Sequence, residues 1–238
     1  MVAPGLPSLS LDEPALAAAL LAIAPTELGG AVLRCGHGPE RDAFLQAVRG
    51  GLPADTPWLK VPCNVTDDRL LGGLDLARTL AQGHAVVEPG VLARADQGVV
   101  LMAMAERWDT ATTRKLCMVL DRGEVHLERE GLSMRLPSRC SVIALDEGVA
   151  DDEAVAPALL DRLAFLLPLT AWAPIDPAPA GDAMAVAAMR QRFLDIALQP
   201  KQVRLLVKTH AALGIPSMRA AALAAVAARA AAALARRG

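Results

Sequence analysis

Short, mostly apolar segments recur along the chain, and each ends at or near a glycine, a proline or a charge. The segment Gly98–Met104 is the most regular of them, and charge begins soon after it at Glu106. A short apolar run of this kind is typical of a parallel strand that is buried on both faces of a sheet. Three further segments of similar length predict neighbouring strands: Ala31–Cys35, Trp58–Val61 and Cys140–Leu145.

Longer amphipathic segments lie between and after these runs and predict helices. Asp12 can cap a helix that ends near Ile23, and another helix should end near Val48. Further helices are predicted over Asp109–Leu120, Gly181–Leu198, Gln202–Leu213 and Ser217–Arg236. The alternation of strands and helices predicts an α/β core, with a parallel sheet between helices, over residues 1–170. A Pro-rich linker over 171–180 and a small helical domain over 181–238 complete the predicted organisation.

Two smaller features interrupt the core pattern. Apolar and polar residues alternate on both sides of Glu130-Gly131, which predicts a β-hairpin. The segment Gly72–Gly83 has no such alternation and is expected to be a loop. An extended piece at Ala85–Val87, a Glu-Pro-Gly turn and a helical turn at Val91–Ala95 should follow it. Both features are interpreted as inserts in the α/β core.

Composition limits the class of protein. The chain has 238 residues, 53% of them hydrophobic, but the apolar excess is mostly alanine and no run is long enough to cross a membrane. A formal net charge of −2 gives no basis for nucleic-acid binding. Four widely spaced cysteines and the lack of a secretory signal pattern predict free thiols in the cytoplasm. Four histidines without metal-ligand spacing predict no metal site.

A candidate phosphate-binding loop lies between a predicted strand and a predicted helix. The required pattern is glycine, four residues, then glycine, lysine and serine or threonine. Gly36 and Gly38 are present, but Arg41, Asp42 and Ala43 occupy the last three positions. Asp42 puts an anion where a cation would meet the phosphates, and Arg41 replaces a glycine that lets the backbone approach them. The loop is therefore predicted to be degenerate, with one alternative left open: Arg41 itself could hold phosphate.

The end of the central strand also lacks the residues that an ATPase has at this place. In P-loop ATPases an apolar run ends in Asp-Glu, where the Asp helps to hold Mg²⁺ and the Glu helps to activate water. Ala103 and Met104 stand at those positions, so neither position supplies an oxygen. We therefore expect no ATP hydrolysis by this chain.

The run GGLDLARTLAQG at residues 72–83, followed by EPGVLARADQG at 88–98, resembles the motor subunits of magnesium chelatase, which are AAA+ proteins. In the active I subunit of that family the strand ends in the acidic pair, whereas the D subunit is the degenerate partner. The chain is similar to the N-terminal AAA+ domain of the D subunit over essentially its whole length. The resemblance implies a sheet of the P-loop NTPase type, a helical lid, and membership of a longer subunit.

The resemblance also assigns roles to single residues. The run ALLDR at 158–162 is similar to a family motif whose arginine acts as a finger on ATP bound by the adjacent subunit, which makes Arg162 the candidate finger. Arg219 matches the place of the sensor-2 arginine. Asp146, Glu147 and Gly148 stand where a sensor-1 asparagine would follow the strand. Both arginines can also be ordinary surface side chains, and that alternative stays open.

The function implied by the resemblance is that of a non-hydrolysing platform in magnesium chelatase. This ligase uses ATP to insert Mg²⁺ into protoporphyrin IX in (bacterio)chlorophyll synthesis. The implied partners are the I subunit, which would bind ATP and Mg²⁺, and the H subunit, which carries the porphyrin. No cofactor is expected on this chain. Two alternatives are a working ATPase with an unorthodox phosphate loop and a regulatory adaptor derived from the AAA+ fold.

Overall fold

Short parallel strands form the central sheet of the computed structural model, which describes residues 13–129, 132–150, 152–169 and 183–235. In chain order the strands are β1 (Gly30–Arg34), β2 (Trp58–Val61), β3 (Gly72–Leu74), β4 (Val87–Pro89), β5 (Val99–Met102), β6 (Glu124–Arg129), β7 (Leu132–Pro137), β8 (Ser141–Asp146) and β9 (Phe165–Pro168). Within the described ranges, five of them form one parallel sheet in the order β2-β5-β8-β1-β9. β3 pairs with β4, and β6 with β7, in two antiparallel ladders.

Helices cover both faces of this sheet. They are α1 (Glu13–Ile23), α2 (Pro39–Gly50), α3 (Asp67–Leu70), α4 (Leu76–Gln82), α5 (Val91–Arg94), α6 (Thr110–Arg122), α7 (Pro157–Leu160), α8 (Ala183–Asp195), α9 (Pro200–Ala212) and α10 (Met218–Leu234). The core on one face is built with α1, α2, α8 and α10, and the core on the other with α3, α5, α6 and α7. This arrangement confirms the predicted parallel sheet between helices.

The strand β5 has the internal position that its apolar pattern predicts. It lies between β2 and β8, and all four of its residues are buried. The strand is shorter than the predicted Gly98–Met104 because Met104 adopts a left-handed conformation, with φ 46° and ψ 56°, and a 3₁₀ turn begins at Ala105. The indole N–H of Trp108 donates to the carbonyl of Ala103 at 3.2 Å and holds this reversal against the core.

The edge strand β9 has no counterpart in the sequence prediction. It pairs with β1 in parallel, but its residues alternate between buried Leu167 and Leu166, which is 61% exposed. A strand at the sheet edge is covered on one side only, so Leu166 is exposed although the run from Phe165 to Leu167 is apolar throughout. The segment also lies directly before the Pro-rich stretch, where no element was expected.

The helical region at the end of the chain shares its core with the α/β part. Phe193 of α8 and Ala230 of α10 are buried in the same cluster as Leu33 of β1. Arg190 of α8 donates to the carbonyl oxygen of Ala22 at 2.9 and 2.7 Å, and to that of Gly51 at 2.9 Å. These bonds tie α8 to the carboxyl ends of α1 and α2, where carbonyl groups lack helical partners.

The two predicted inserts are present with changes in detail. β6 and β7 form the expected hairpin. The expected loop at Gly72–Gly83 instead contains β3 and the helix α4, which Asp75 caps at one end and Gly83, with φ 71°, ends at the other. The Glu-Pro-Gly sequence does not form a turn, because Glu88 and Pro89 belong to β4 and Gly90 precedes α5.

Several sequence predictions fall on residues that the structure does not describe. They are the irregular lead and cap before Glu13, the hairpin turn at Glu130-Gly131, the linker over 171–180 and the last residues from Arg236. The proposed domain boundaries therefore stay predictions. Among the helices of the described residues, none combines the length and the apolar character that crossing a membrane requires.

The pairing of β1 with β8 generates a stability prediction at Gly30. Gly30 has φ +135°, and an added Cβ would lie 1.8 Å from the carbonyl oxygen of Val142 on β8. We expect Gly30→Ala to lower the free energy of unfolding by about 3 kcal/mol or more, which corresponds to roughly 6–12 °C in the thermal midpoint. Gly36→Ala is the matched control, because no heavy atom lies within 4 Å of its added Cβ. Equal midpoints for the two variants would contradict this account of the sheet.

Candidate functional site

Three neighbouring strands end together at one edge of the sheet, called here the carboxyl edge. Arg34 at the end of β1 pairs in register with Asp146 at the end of β8, and Met102 of β5 pairs with Ala144. In open parallel sheets this edge is where ligands bind. The structure therefore brings the degenerate phosphate loop, the acidic-pair positions and the sensor-1 position to one place, as the resemblance implies.

The phosphate loop runs from the end of β1 into the first turn of α2, which begins at Pro39. Gly36 is exposed, and Gly38 precedes the helix with an extended backbone. The side chain of Asp42 is 64% exposed, whereas that of Arg41 is only 10% exposed. Ala43 is partly buried and carries no hydroxyl group. The cation in this loop is thus the buried Arg41, one position before the place of the usual lysine.

Arg41 is already engaged by a carboxylate of the same chain. Its Nη1 donates to Oε1 of Glu147 at 3.1 Å, and Nδ1 of His37 lies 3.6 Å from the same oxygen. Its Nε is buried without a hydrogen-bond partner and lies 3.8 Å from Oδ1 of Asp42. Sequence reasoning left open whether Arg41 holds phosphate. In this structure the anion that accepts a hydrogen bond from Arg41 is the carboxylate of Glu147.

The side chains at the acidic-pair positions carry no oxygen, but the carboxylate of the nearby Glu106 lies at the same edge of the sheet. After Ala103 and Met104 the chain reverses, and the side chain of Glu106 is only 1% exposed. Oε2 of Glu106 accepts the backbone N–H of Glu147 at 3.0 Å, while its buried Oε1 has no hydrogen-bond partner. Sequence reasoning missed this carboxylate because it depends on the left-handed turn at Met104.

Carboxylates outnumber the buried cations at this edge. Asp146, at the sensor-1 position, is 2% exposed, accepts the N–H of Gly148 at 3.0 Å and lies 3.7 Å from Arg34. A like-charge pair about 4 Å apart costs on the order of 1 kcal/mol in water and about 4 kcal/mol near a protein surface. Each of the three carboxylates at this edge has an arginine nearby: Arg107 lies 3.4 Å from Glu106, Arg34 lies 3.7 Å from Asp146, and Arg41 lies 3.1 Å from Glu147. Among the described residues, no group of three or more His, Cys, Asp or Glu side chains is arranged to hold a metal ion.

A second charged group brings together the two arginines that the resemblance singled out. Nε of Arg162 donates to Oδ1 of Asp121 at 3.0 Å, and its Nη2 donates to Oδ2 of the same carboxylate. Nη1 of Arg219 donates to Oδ1 of Asp121 at 2.6 Å, and its Nε lies 3.3 Å from Oδ2 of Asp161. The hydroxyl of Ser217, the N-cap of α10, donates to Asp161. Asp121 on α6 therefore holds both arginines, and sequence reasoning did not identify it.

This arginine pair lies at the opposite edge of the sheet from the phosphate loop. Arg162 and Arg219 line a cavity of about 170 Å³ together with Gly29, which directly precedes β1. The loop begins after the other end of β1, and a five-residue strand spans roughly 16 Å. Arg219 is thus placed away from the loop of its own chain and beside the candidate finger Arg162.

The pairing shifts the pKa values of Asp121 and Arg162 in the directions that favour their charged forms. Burial acts to raise the pKa of Asp121, but the hydrogen bonds and charges of Arg162 and Arg219 outweigh it and hold that pKa below its usual range. The hydrogen bond that Arg162 donates to Asp121 in turn raises the pKa of Arg162. The side chain of Arg162 is 18% exposed and that of Arg219 is 44% exposed, so both remain accessible from solvent.

Comparison with known proteins gives one family match and several relatives. A family model described as the MCM P-loop domain matches residues 73–150. The magnesium-chelatase 60 kDa subunit of Cereibacter sphaeroides is 38% identical over 221 residues, which cover 90% of this chain and 35% of that protein. The 67 kDa subunit of Chlorobaculum tepidum is 36% identical over 162 residues, covering 68% of this chain and 26% of that protein.

A smaller relative and a solved structure complete the comparison. The magnesium-chelatase 38 kDa subunit of Cereibacter sphaeroides is 37% identical over 107 residues, covering 45% of this chain and 31% of that protein. The crystal structure of a putative ATPase from Cytophaga hutchinsonii has a TM-score of 0.66 and 14% identity, covering 92% of this chain and 74% of that one. The chain thus spans about a quarter to a third of the length of these curated relatives.

The ion pairs of Asp121 predict a specific pH dependence of stability. Its pKa is lower in the folded chain than the usual value of about 3.9. The pairs therefore stabilise the fold fully above that value and lose their effect as the pH falls through the folded pKa. We expect Asp121→Asn to lower the unfolding midpoint at pH 7, and this deficit to shrink below about pH 4. Asp55→Asn, at an exposed aspartate, should follow the wild-type profile at every pH. A deficit that is constant down to pH 2 would refute the pairing.

Proposed function

We propose that this chain, which is related to the magnesium-chelatase subunits and has the AAA+ fold, is a non-hydrolysing platform module of a magnesium chelatase. In this proposal the ATP and its Mg²⁺ are bound by a partner of the 38 kDa type, the I subunit. The H subunit carries protoporphyrin IX, into which a second Mg²⁺ is inserted as substrate. The match to the 60 kDa subunit extends over 90% of the chain, twice the share matched by the 38 kDa subunit, and supports the platform role.

The contrast between the two edges of the sheet is the observation that carries the proposal. At the carboxyl edge the lysine, the hydroxyl and the acidic pair of an ATPase are replaced by Asp42, Ala43, Ala103 and Met104. Each of the replaced groups positions the phosphates, the metal or water in phosphoryl transfer. The remaining cation, Arg41, is paired with Glu147.

At the other edge the arginines are retained and accessible. Arg162 and Arg219 both have planar guanidinium groups, which can contact phosphate oxygens through two parallel hydrogen bonds. Asp121 holds them side by side at the start of β1. In the proposed complex this edge faces the ATP of a neighbouring I subunit, so that the chain contributes to hydrolysis without binding the nucleotide in its own loop.

The lid offers a surface for such a neighbour. No residue of α9 is buried, and several of its apolar side chains face solvent. Val203, Leu205 and Val207 are 43%, 65% and 42% exposed, and Leu213, directly after the helix, is 68% exposed. Exposed apolar side chains gathered on one element mark contact sites on soluble proteins. The four free cysteines, of which Cys117 and Cys140 are buried, support a reducing compartment, and we place the complex in the cytoplasm.

Assembly with the I subunit tests the proposal directly. Analytical ultracentrifugation of the chain mixed with an I subunit and ATP should show a species larger than either protein, and the chain alone should release no phosphate from ATP above background. Leu205→Asp should weaken assembly without unfolding the chain, because Leu205 is 65% exposed. Two independent peaks at micromolar concentration would reject the platform role. Phosphate release by the chain that disappears in Arg41→Ala would instead identify a working ATPase.

The arginine pair generates a second prediction for the complete complex. In a full-length subunit carrying this chain, we expect Arg162→Ala to lower magnesium-porphyrin formation by about tenfold or more, because fingers in trans act on the transferring phosphate. Arg162→Lys should recover only part of the loss, since a lysine cannot make the two parallel bonds. Arg219→Ala should act in the same direction, and the double variant should lose less than the product of the single effects.

The control for this experiment is Arg114→Ala, an exposed arginine on the same helix as Asp121. It should retain wild-type activity. Assembly must be measured alongside activity for each variant. Full activity in Arg162→Ala would make that arginine an ordinary surface side chain, and lost assembly would assign it to the subunit interface.

A further inference from the structure

Arg41 is a cation whose surroundings require an anion. Its side chain is nine-tenths buried in the first turn of the twelve-residue helix α2, and its Nε has no hydrogen-bond partner. A buried guanidinium is costly unless a negative charge accompanies it. The first N–H groups of a helix also lack helical partners and carry partial positive charge. Together the helix end and Arg41 form a site with two independent attractions for an anion.

The anion that occupies this site belongs to the chain itself. Glu147 directly follows β8, the neighbour of β1, and the N–H of Cys35 donates to the carbonyl of Asp146 at 3.0 Å. This register carries Glu147 to the start of the phosphate loop. Its own N–H is fixed on the buried carboxylate of Glu106 at 3.0 Å, and its side chain accepts from Arg41 at 3.1 Å. Glu147 is therefore held between a buried acid and a buried base.

We infer that Glu147 is an intramolecular stand-in for phosphate, and that it closes a polyphosphate site which the loop still contains. The inference rests on the contacts of Arg41 and Glu147 alone, so it is independent of any role in a chelatase. The ligand class is a polyphosphate, either inorganic or part of a nucleotide, because the loop offers a guanidinium and a helix end. The Arg41–Glu147 ion pair also holds the loop in place without a ligand, since the carboxylate of Glu147 supplies the negative charge beside Arg41.

Charge repulsion sets the expected size of the effect. A polyphosphate at Arg41 would lie against the carboxylate of Glu147, and one like-charge contact at about 4 Å weakens binding roughly fivefold in water and up to about a thousandfold near a protein surface. Glu147→Gln removes this charge, preserves the shape of the side chain and retains the backbone bond to Glu106. Asp146 and Glu106 stay in place, so the gain is expected to be partial.

The test is calorimetric titration with inorganic pyrophosphate. We expect no measurable binding of pyrophosphate to the wild-type chain at millimolar concentration. Glu147→Gln should bind it with a dissociation constant at least tenfold below that detection limit. Adding Arg41→Ala to Glu147→Gln should abolish the gain. Glu128→Gln is the matched control, because it removes one negative charge from an exposed position of the β6–β7 hairpin, away from the phosphate loop, and it should not bind. A parallel titration with ATP distinguishes the ligand source: tighter binding than pyrophosphate identifies a nucleotide, and equal binding an inorganic polyphosphate.

Thermal unfolding gives a second measurement of binding, which applies even if Glu147→Gln is less stable than the wild type. A ligand that binds only the folded state raises the unfolding midpoint. Pyrophosphate should therefore raise the midpoint of Glu147→Gln, and not that of the wild type, relative to sodium chloride at equal ionic strength. Wild-type binding within twofold of the variant, binding that survives Arg41→Ala, or no rise in the midpoint of Glu147→Gln would each overturn the inference.

Discussion

The strand β1, which pairs closely with β8 on one side and with β9 on the other, is the element on which both charged regions of this protein depend. Gly30 permits the close pairing with β8, because any side chain there would meet the carbonyl of Val142. The register that follows sets Arg34 beside Asp146 and so delivers Glu147 to the phosphate loop. At the other end of the same strand, Gly29 lies against the backbone of Arg162. The β8 side of β1 therefore positions the phosphate loop and Glu147, and the β9 side of the same strand positions Arg162.

The elements that sequence reasoning identified are those whose burial is local and continuous. β5 and β8 are buried along their whole lengths, and their apolar runs were sufficient to predict them. β9 was missed although Phe165, Leu166 and Leu167 form an apolar run, because the run is short and lies shortly before the Pro-rich stretch. The α4 insert was read as a loop because no residue of that helix is buried. Its boundaries come from the Asp75 cap and the left-handed Gly83.

The candidate sites were predicted less completely, for a different physical reason. Arg41, Arg162 and Arg219 stand in recognisable local runs, so sequence alone could single them out. Their partners are distant in the chain: Glu147 lies 106 residues from Arg41, and Asp121 lies 98 residues from Arg219. The hydrophobic periodicity of the sequence cannot predict such a pairing, because the pairing depends on the strand order and on the direction of α6. Glu106 is nearer in sequence, yet its return to the sheet depends on the left-handed backbone of Met104.

The two arginine sites show how burial decides between a structural and a functional ion pair. Arg41 and Glu147 are 10% and 20% exposed, so an incoming anion must first break a largely desolvated pair. Asp121 and Arg219 are 32% and 44% exposed, and Arg162 is 18% exposed, so solvent reaches part of this cluster. Arg219 also contacts Asp161, so one guanidinium contact can be given up while another persists. At the carboxyl edge the guanidinium is thus paired inside the protein, whereas at the opposite edge one guanidinium is partly open to solvent. The proposed platform role depends on this difference between the two edges.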